Sequence, residues 1–181
     1  MSAEKQLHKQ IQEIMRVSPI LSLATVSSDG QPHSSTVWTA PSDDLTKVYW
    51  LSSPQRKHSE QITAQQNEGK PAKVSGALFT PQRPSRPVKG LSFEGYARQM
   101  TDPTEIKEGL DTLVKHRVFF PDEAANYLQP SEGSDVAAHG FYVADINEWT
   151  VFDGRKPYAK RLLRLILDPI KRFWHNREKT E

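Results

Sequence analysis

The stretch Ser52-Ser53-Pro54-Gln55-Arg56-Lys57-His58 gathers two hydroxyls, two permanent cations and an imidazole within seven residues. A dianionic phosphate group asks for such a set, because it needs positive charge and several N–H or O–H donors converging on its oxygens. The run follows an apolar segment, Val48-Tyr49-Trp50-Leu51, that reads as the end of a strand, and Pro54 to Ala64 reads as a short helix with proline at its start. Free amides at a helix start add partial positive charge in the same place. A solvated Arg-Lys pair beside an ordinary helix cap explains the same residues, and this short stretch leaves both readings open.

A second polar run, His33-Ser34-Ser35-Thr36-Val37-Trp38, is either the polar side of a hairpin or a row of donors facing a ligand. Trp38 and Trp50 are either walls of that ligand site or core and interface residues. The six histidines, His8, His33, His58, His116, His139 and His175, show no close metal-binding spacing, and there is no cysteine to join them, so no metal site is expected. Gly-x-Ser-x-Gly is absent, which removes the usual signature of a serine hydrolase.

The elements that must position these residues are mostly strands. Residues 4–16 place Leu7, Ile11, Ile14 and Met15 at helical spacing. Ile20–Val26, the turn Ser27-Ser28-Asp29-Gly30 and Gln31–Ala40 form a hairpin, and Lys47–Leu51 adds a third strand. Strand character resumes at Ala72–Thr80 and, after a loop with three prolines, at Val88–Gln99, where Gly90 and Gly95 mark bulges or close backbone approach. A helical insert over about residues 102–128 opens with Thr101 or Asp102 as cap and Pro103 in the first turn, and residues 139–154 supply the last strands. Consecutive strands joined by tight turns predict an α+β fold, an antiparallel barrel with helices at its ends.

At 181 residues the chain fits one core, here residues 1–154. With 36% hydrophobic residues it has long polar loops or buries surface in a partner, and a homodimer is the expectation. The N-terminus lacks the apolar stretch of a signal peptide and no segment is long enough to span a bilayer, so the cytoplasm is expected. Residues 155–181 hold nine Lys/Arg against three Asp/Glu, leaving 15 against 19 in the rest. Basic charge is thus a property of the tail, which argues against nucleic-acid binding by the body. Tyr158–His175 reads as a basic amphipathic helix, with Leu162, Leu163, Ile166 and Ile170 opposite Lys160, Arg161, Arg164 and Lys171. It docks on the barrel or a partner subunit, or lies on an anionic membrane surface.

Taken together, Leu21–Trp38, Val48–Ile62 and Val88–Ala97 resemble, in order and spacing, the pyridoxamine-phosphate-oxidase-like family of flavin-binding split β-barrels. The resemblance implies FMN as cofactor, a homodimer with the cofactor between subunits, and hydride or electron transfer involving a small molecule or NAD(P)H. Carried onto this chain, it puts Ser52 and Ser53 at the hydroxyl-bearing strand end and Lys57 with His58 at the phosphate, with Arg56 fitting if the register slips by one. It puts Ser35, Thr36 and Val37 along the flavin ring and ribityl chain, and Lys89 at a further polar contact. The chain departs from authentic pyridoxamine phosphate oxidases, which carry a basic residue where Ser35 stands and a substrate-binding lysine where Ala40 stands, so the vitamin B6 reaction is not expected. The alternatives in the same groove are a non-enzymatic flavin or haem binding protein, with His139 as the candidate haem ligand, and a deazaflavin-dependent reductase.

Overall fold

The computed structural model describes residues 3–80, 87–129, 132–133, 139–154 and 162–167. Helix α1 (Ala3–Val17) leads into strands β1 (Ile20–Val26), β2 (Pro32–Pro41) and β3 (Lys47–Ser52), then helix α2 (Lys57–Asn67) and strands β4 (Ala72–Phe79) and β5 (Lys89–Gln99). Helices α3 (Pro103–Lys115) and α4 (Pro121–Leu128) precede strands β6 (Gly140–Asp153) and β7 (Leu162–Ile166). All ladders are antiparallel, in the order β3-β2-β1-β4-β5-β6-β7, and a ladder between β3 and β6 closes β1–β6 into a barrel. The predicted α+β barrel with flanking helices is the observed architecture.

Period-two alternation builds the wall. In β1, Leu21, Leu23 and Thr25 are buried while Ile20, Ser22 and Val26 face out. In β4, Ala72, Val74, Gly76 and Leu78 are buried between exposed neighbours. The interior is filled by large side chains, among them Trp50 stacked on Tyr142 at 5.7 Å and Phe93 edge-on to Trp149 at 5.3 Å. Gly76 lies under the Phe93 ring, where even a methyl group would collide with that ring and with Leu21. Gly95 sits at the register shift between β5 and β6, and its missing side chain admits the Asp145 carbonyl. This is the bulge position expected from the sequence.

Each end of the barrel is closed by a helix. α1 turns Leu7, Ile11, Ile14 and Met15 into the core, and its Gln12 side chain donates to the Asp43 carbonyl in the β2–β3 turn, 3.0 Å away. α2 lies at the opposite end, where Gln65 donates to the carbonyl of Val26, the last residue of β1, at 2.7 Å. α3 packs outside the barrel, with Leu113 in a second cluster formed with Ala40, Tyr49, Met100 and Val143. Asp102 caps it by accepting from the Glu105 amide at 2.9 Å, and the Tyr49 hydroxyl donates to Glu108 at 2.9 Å.

Three sequence expectations need correction. Residues 139–154 contain one 14-residue strand, since Asp145 and Ile146 stay in the ladder with β5 and Asn147 is only the extra residue of the bulge before Glu148. The helix after β3 starts at Lys57, because Pro54 belongs to a turn closed by the Arg56 amide on the Ser53 carbonyl at 3.1 Å. Within the proposed C-terminal helix, Leu162–Ile166 forms β7, paired with Glu148–Phe152 of β6. A run so rich in apolar residues satisfies helical and strand spacing alike, and the available edge of β6 decides; the rest of that helix lies outside the described residues. Among the described residues no helix is long and apolar enough to cross a membrane.

Candidate functional site

The β1–β2 hairpin and β3 separate near the α2 end. β2 pairs with β1 from Pro32 to Trp38 but with β3 only at Thr39, Ala40 and Pro41, so among the described residues no strand lies on the second side of residues 32–38. α2 crosses this split and places His58 in it. His58 Nδ1 lies 2.9 Å from Ser35 Oγ on β2, and His58 Nε2 lies 2.9 Å from Ser52 Oγ, on the last residue of β3. Ser35 Oγ is also 3.0 Å from His33 Nε2. His33, Ser35 and Val37 share one face of β2, while Ser34, Thr36 and Trp38 project from the other and are exposed.

The side chains around this link are polar and deeply covered. His58 is 4% exposed and Ser59 is fully buried. The Thr25 hydroxyl donates to the Gln61 side-chain carbonyl, and Thr63 donates to Gln99 at 3.4 Å. Ser59 Oγ and Gln61 Nε2 are buried without a hydrogen-bond partner among the described residues. Unsatisfied polar atoms carry a desolvation cost of about 1–3 kcal/mol each, so an apolar plug would be the cheaper closure of this end. Among the described residues no group of three or more His, Asp or Glu side chains is placed to hold a metal.

The electrostatics favour an anion. Burial, followed by the charges of His33 and Arg56, holds His58 below its ordinary value and toward the neutral form. Arg56 stands at the N-cap position of α2 in extended conformation, with no side-chain cap on the helix amides. Arg56 and Lys57 are exposed at the mouth, and the positive charge of Lys57 reaches Asp29 in the β1–β2 turn. Uncapped amides, two mobile cations and the Ser52 and Ser53 hydroxyls are the donor set a phosphate group takes.

The structure therefore brings together Ser35, Ser52, Ser53, Arg56, Lys57 and His58. Thr36 and Val37 border the open edge of β2, but their side chains point to opposite faces, so a ring lying along this edge meets their backbone more than their side chains. Within one chain Lys89 stands apart from this group. It opens β5 opposite Asp153 and its charge acts on Glu13 of α1, whereas the α2 end of β5 is Gln99, ten residues and about 33 Å of strand away. Trp50 is buried in the core, and Trp38 is 53% exposed on the outer face of β2. His33 heads the polar run noted in the sequence without a part in the expected cofactor contacts; its i, i+2 spacing to Ser35 puts both on one strand face. His139 precedes Gly140, the β6 partner of Ser52, and lies edge-on to Tyr127 at 5.6 Å.

The sequence pattern of the pyridoxamine 5'-phosphate oxidase family matches residues 7–150. No curated protein matches the chain significantly. Among solved structures, a conserved hypothetical protein of Mycobacterium tuberculosis is 19% identical, with a TM-score of 0.62 over 87% of this chain and 90% of that one. A Clostridium acetobutylicum protein related to general stress protein 26, of the pyridoxinephosphate oxidase family, is 14% identical, with a TM-score of 0.60 over 93% and 99%. A heme binding protein of Mycobacterium smegmatis is 17% identical, with a TM-score of 0.63 over 92% of this chain and 58% of that one. At these identities the structures speak to the fold, and the matched pattern spans most of the barrel together with its α2-closed split: the chain belongs to the pyridoxamine 5'-phosphate oxidase family.

Proposed function

We propose that this chain is an FMN-binding flavoprotein that acts as an oxidoreductase on a small molecule other than a vitamin B6 phosphate. The observation that carries the reading is the polar closure of the split, where β2, β3 and α2 converge through Ser35, Ser52 and His58 behind two exposed cations. Ser52, Ser53, Arg56, Lys57 and His58 would hold the phosphate, and the unpaired edge of β2 at Ser35–Val37 would offer backbone groups to the ring. When bound, the flavin supplies hydride and electron transfer; the chain contributes position and electrostatic tuning. Ala40 is fully buried in the cluster beneath α3, so the position that carries a substrate lysine in authentic pyridoxamine phosphate oxidases is closed off from ligand.

A homodimer completes the proposal. The outer face of β2, β1 and β4 presents Ser34, Thr36 and Trp38, then Ile20, Ser22, Ala24 and Val26, then Ser75, Ala77 and Phe79. Lys73, at the start of β4, is the one charge on this face among these strands, and Trp38 and Phe79 are 53% and 64% exposed, a composition suited to burial against a second copy. The open edge of β2 would then lie at the border of the interface.

Cofactor extraction with mass spectrometry, and the visible spectrum of the purified protein, test the proposal. A flavin spectrum with steady NAD(P)H oxidation supports it; a colourless protein whose addition leaves FMN fluorescence unchanged overturns it. A haem-binding role in the same groove is favoured by the position of His139 beside the strand partner of Ser52 and by the heme binding protein among the structural relatives. A Soret band in place of flavin absorbance identifies that role.

A further inference from the structure

We propose, resting on the reading of the split as an anion site, that His33 is a positioning residue: through the Ser35 hydroxyl it sets the hydrogen-bond direction at His58, and so couples dianion binding at Ser52 to the uptake of one proton. The four groups form a single line, His33 Nε2 to Ser35 Oγ at 3.0 Å, Ser35 Oγ to His58 Nδ1 at 2.9 Å, and His58 Nε2 to Ser52 Oγ at 2.9 Å. Each hydroxyl has one proton to give, so a choice at one link constrains the next.

With His58 neutral and its proton on Nδ1, Nε2 accepts the Ser52 proton, and Ser52 turns only lone pairs toward the mouth. With the proton on Nε2, Nδ1 accepts from Ser35, and His33 must itself be the donor to Ser35. With His58 protonated, both ring nitrogens donate, Ser35 gives its proton to His33 Nε2, and the Ser52 hydroxyl is released to donate outward. The last arrangement alone combines a positive imidazolium with an outward Ser52 donor and a neutral, accepting His33. One proton from solvent is added to His58 as the dianion binds, and no other bond changes.

The charges around His58 fit this coupling. β2 contributes His33; the start of its own helix contributes Arg56 and Lys57, the latter reaching Asp29 in the β1–β2 turn; β3 contributes the neutral Ser52; His139 flanks β6 beside it, and Glu60 is exposed on α2. Among the described residues no carboxylate acts on His58; burial disfavours its protonated form, as a charge on His33 would and that of Arg56 does, so the proton enters while His33 is the neutral acceptor. An arriving dianion reverses that balance.

Sulfate is the probe, because it stays dianionic between about pH 5.5 and 8, whereas the FMN phosphate itself titrates near 6. In the full-length chain, sulfate affinity followed by the ring and amide NMR signals of His58 and Ser52 is expected to fall about tenfold per pH unit above the His58 midpoint. His33→Phe, which removes the acceptor, shifts the His58 midpoint and with it the pH at which sulfate affinity begins to fall; His33→Gln, whose side-chain carbonyl still accepts from Ser35, restores both. Sulfate affinity independent of pH overturns the coupling, and an onset of the pH dependence that stays put in His33→Phe overturns the role of His33; either leaves the anion site standing. If the unaltered chain binds neither sulfate nor FMN, the anion reading fails and the coupling with it. The His58 midpoint of the free protein then decides the relay alone: a shift in His33→Phe that glutamine reverses identifies it, and an unmoved midpoint removes it.

Discussion

The two ends of the barrel are closed by helices of opposite character. α1 seals its end with Leu7, Ile11, Ile14 and Met15, each 8% exposed or less. α2 closes the other with His58, Ser59 and Gln61 beside a single fully buried aliphatic, Ile62, and it leaves polar atoms there without partners. Apolar closure is the cheaper solution for stability, since burial of hydrocarbon needs no geometric match and leaves no donor unpaired. Polar closure at the α2 end is what the proposed anion site requires, at a cost in stability that the α1 end does not carry.

The largest effect that separates the ends is expected from Ile11→Ala. It should cost about 2–5 kcal/mol in denaturant unfolding by creating a cavity in the α1 seal, with FMN affinity of the folded protein unchanged. A matched loss of FMN affinity would break the division of roles. Next, His58→Leu should cost about 1–3 kcal/mol, because Ser35 and Ser52 lose their shared partner, and should abolish FMN binding in a fluorescence titration. Retained binding would return the polar end to a structural role.

The pH dependence comes third. The folded-state value of His58 lies below its unfolded value, as does that of half-buried His116. The unfolded chain therefore takes up protons first, and stability should fall as pH drops from about 6.5 through the lowered folded-state values. Urea unfolding at neutral and mildly acidic pH should show a smaller acid loss in His58→Gln than in the unaltered chain, with the remainder traceable to His116. Smaller again in stability is Arg56→Ala with Lys57→Ala. These exposed residues should change unfolding by less than about 0.5 kcal/mol, while FMN affinity falls several-fold and loses salt dependence. Lys89→Ala, at the α1 end, should leave FMN affinity unaltered.

Much of the fold was legible because its signals are local. The Ser27–Gly30 turn between alternating runs announces the first hairpin, the Asp102-Pro103 pair announces α3, and Gly95 announces a bulge. β7 was not legible, because what makes Leu162–Ile166 a strand is the edge of β6, a partner distant in sequence. The site divides the same way. Ser52 through His58 lie together in the chain and read as an anion grip, whereas Ser35 joins them only because α2 spans the split. Lys89 was chosen because its neighbours resemble a site strand, and its position, first in β5, lies within one chain at the other end. The reverse holds for His33: spacing to Ser35 sets its face, but only the fold reveals that His58 lies on the far side of that serine.

The ladder from Lys47–Ser52 to Gly140–Asp145 joins segments separated by α2, β4, β5, α3 and α4, so it is the most non-local pairing of the barrel. Closing so long a loop carries an entropy cost that no local contact returns, which places this seam late in folding and early in unfolding. Ser52 is the last residue of the seam on one side. A ligand held there would bolt the seam, and its signature would be kinetic: slower unfolding at an unchanged folding rate, by the same factor as the rise in the equilibrium constant.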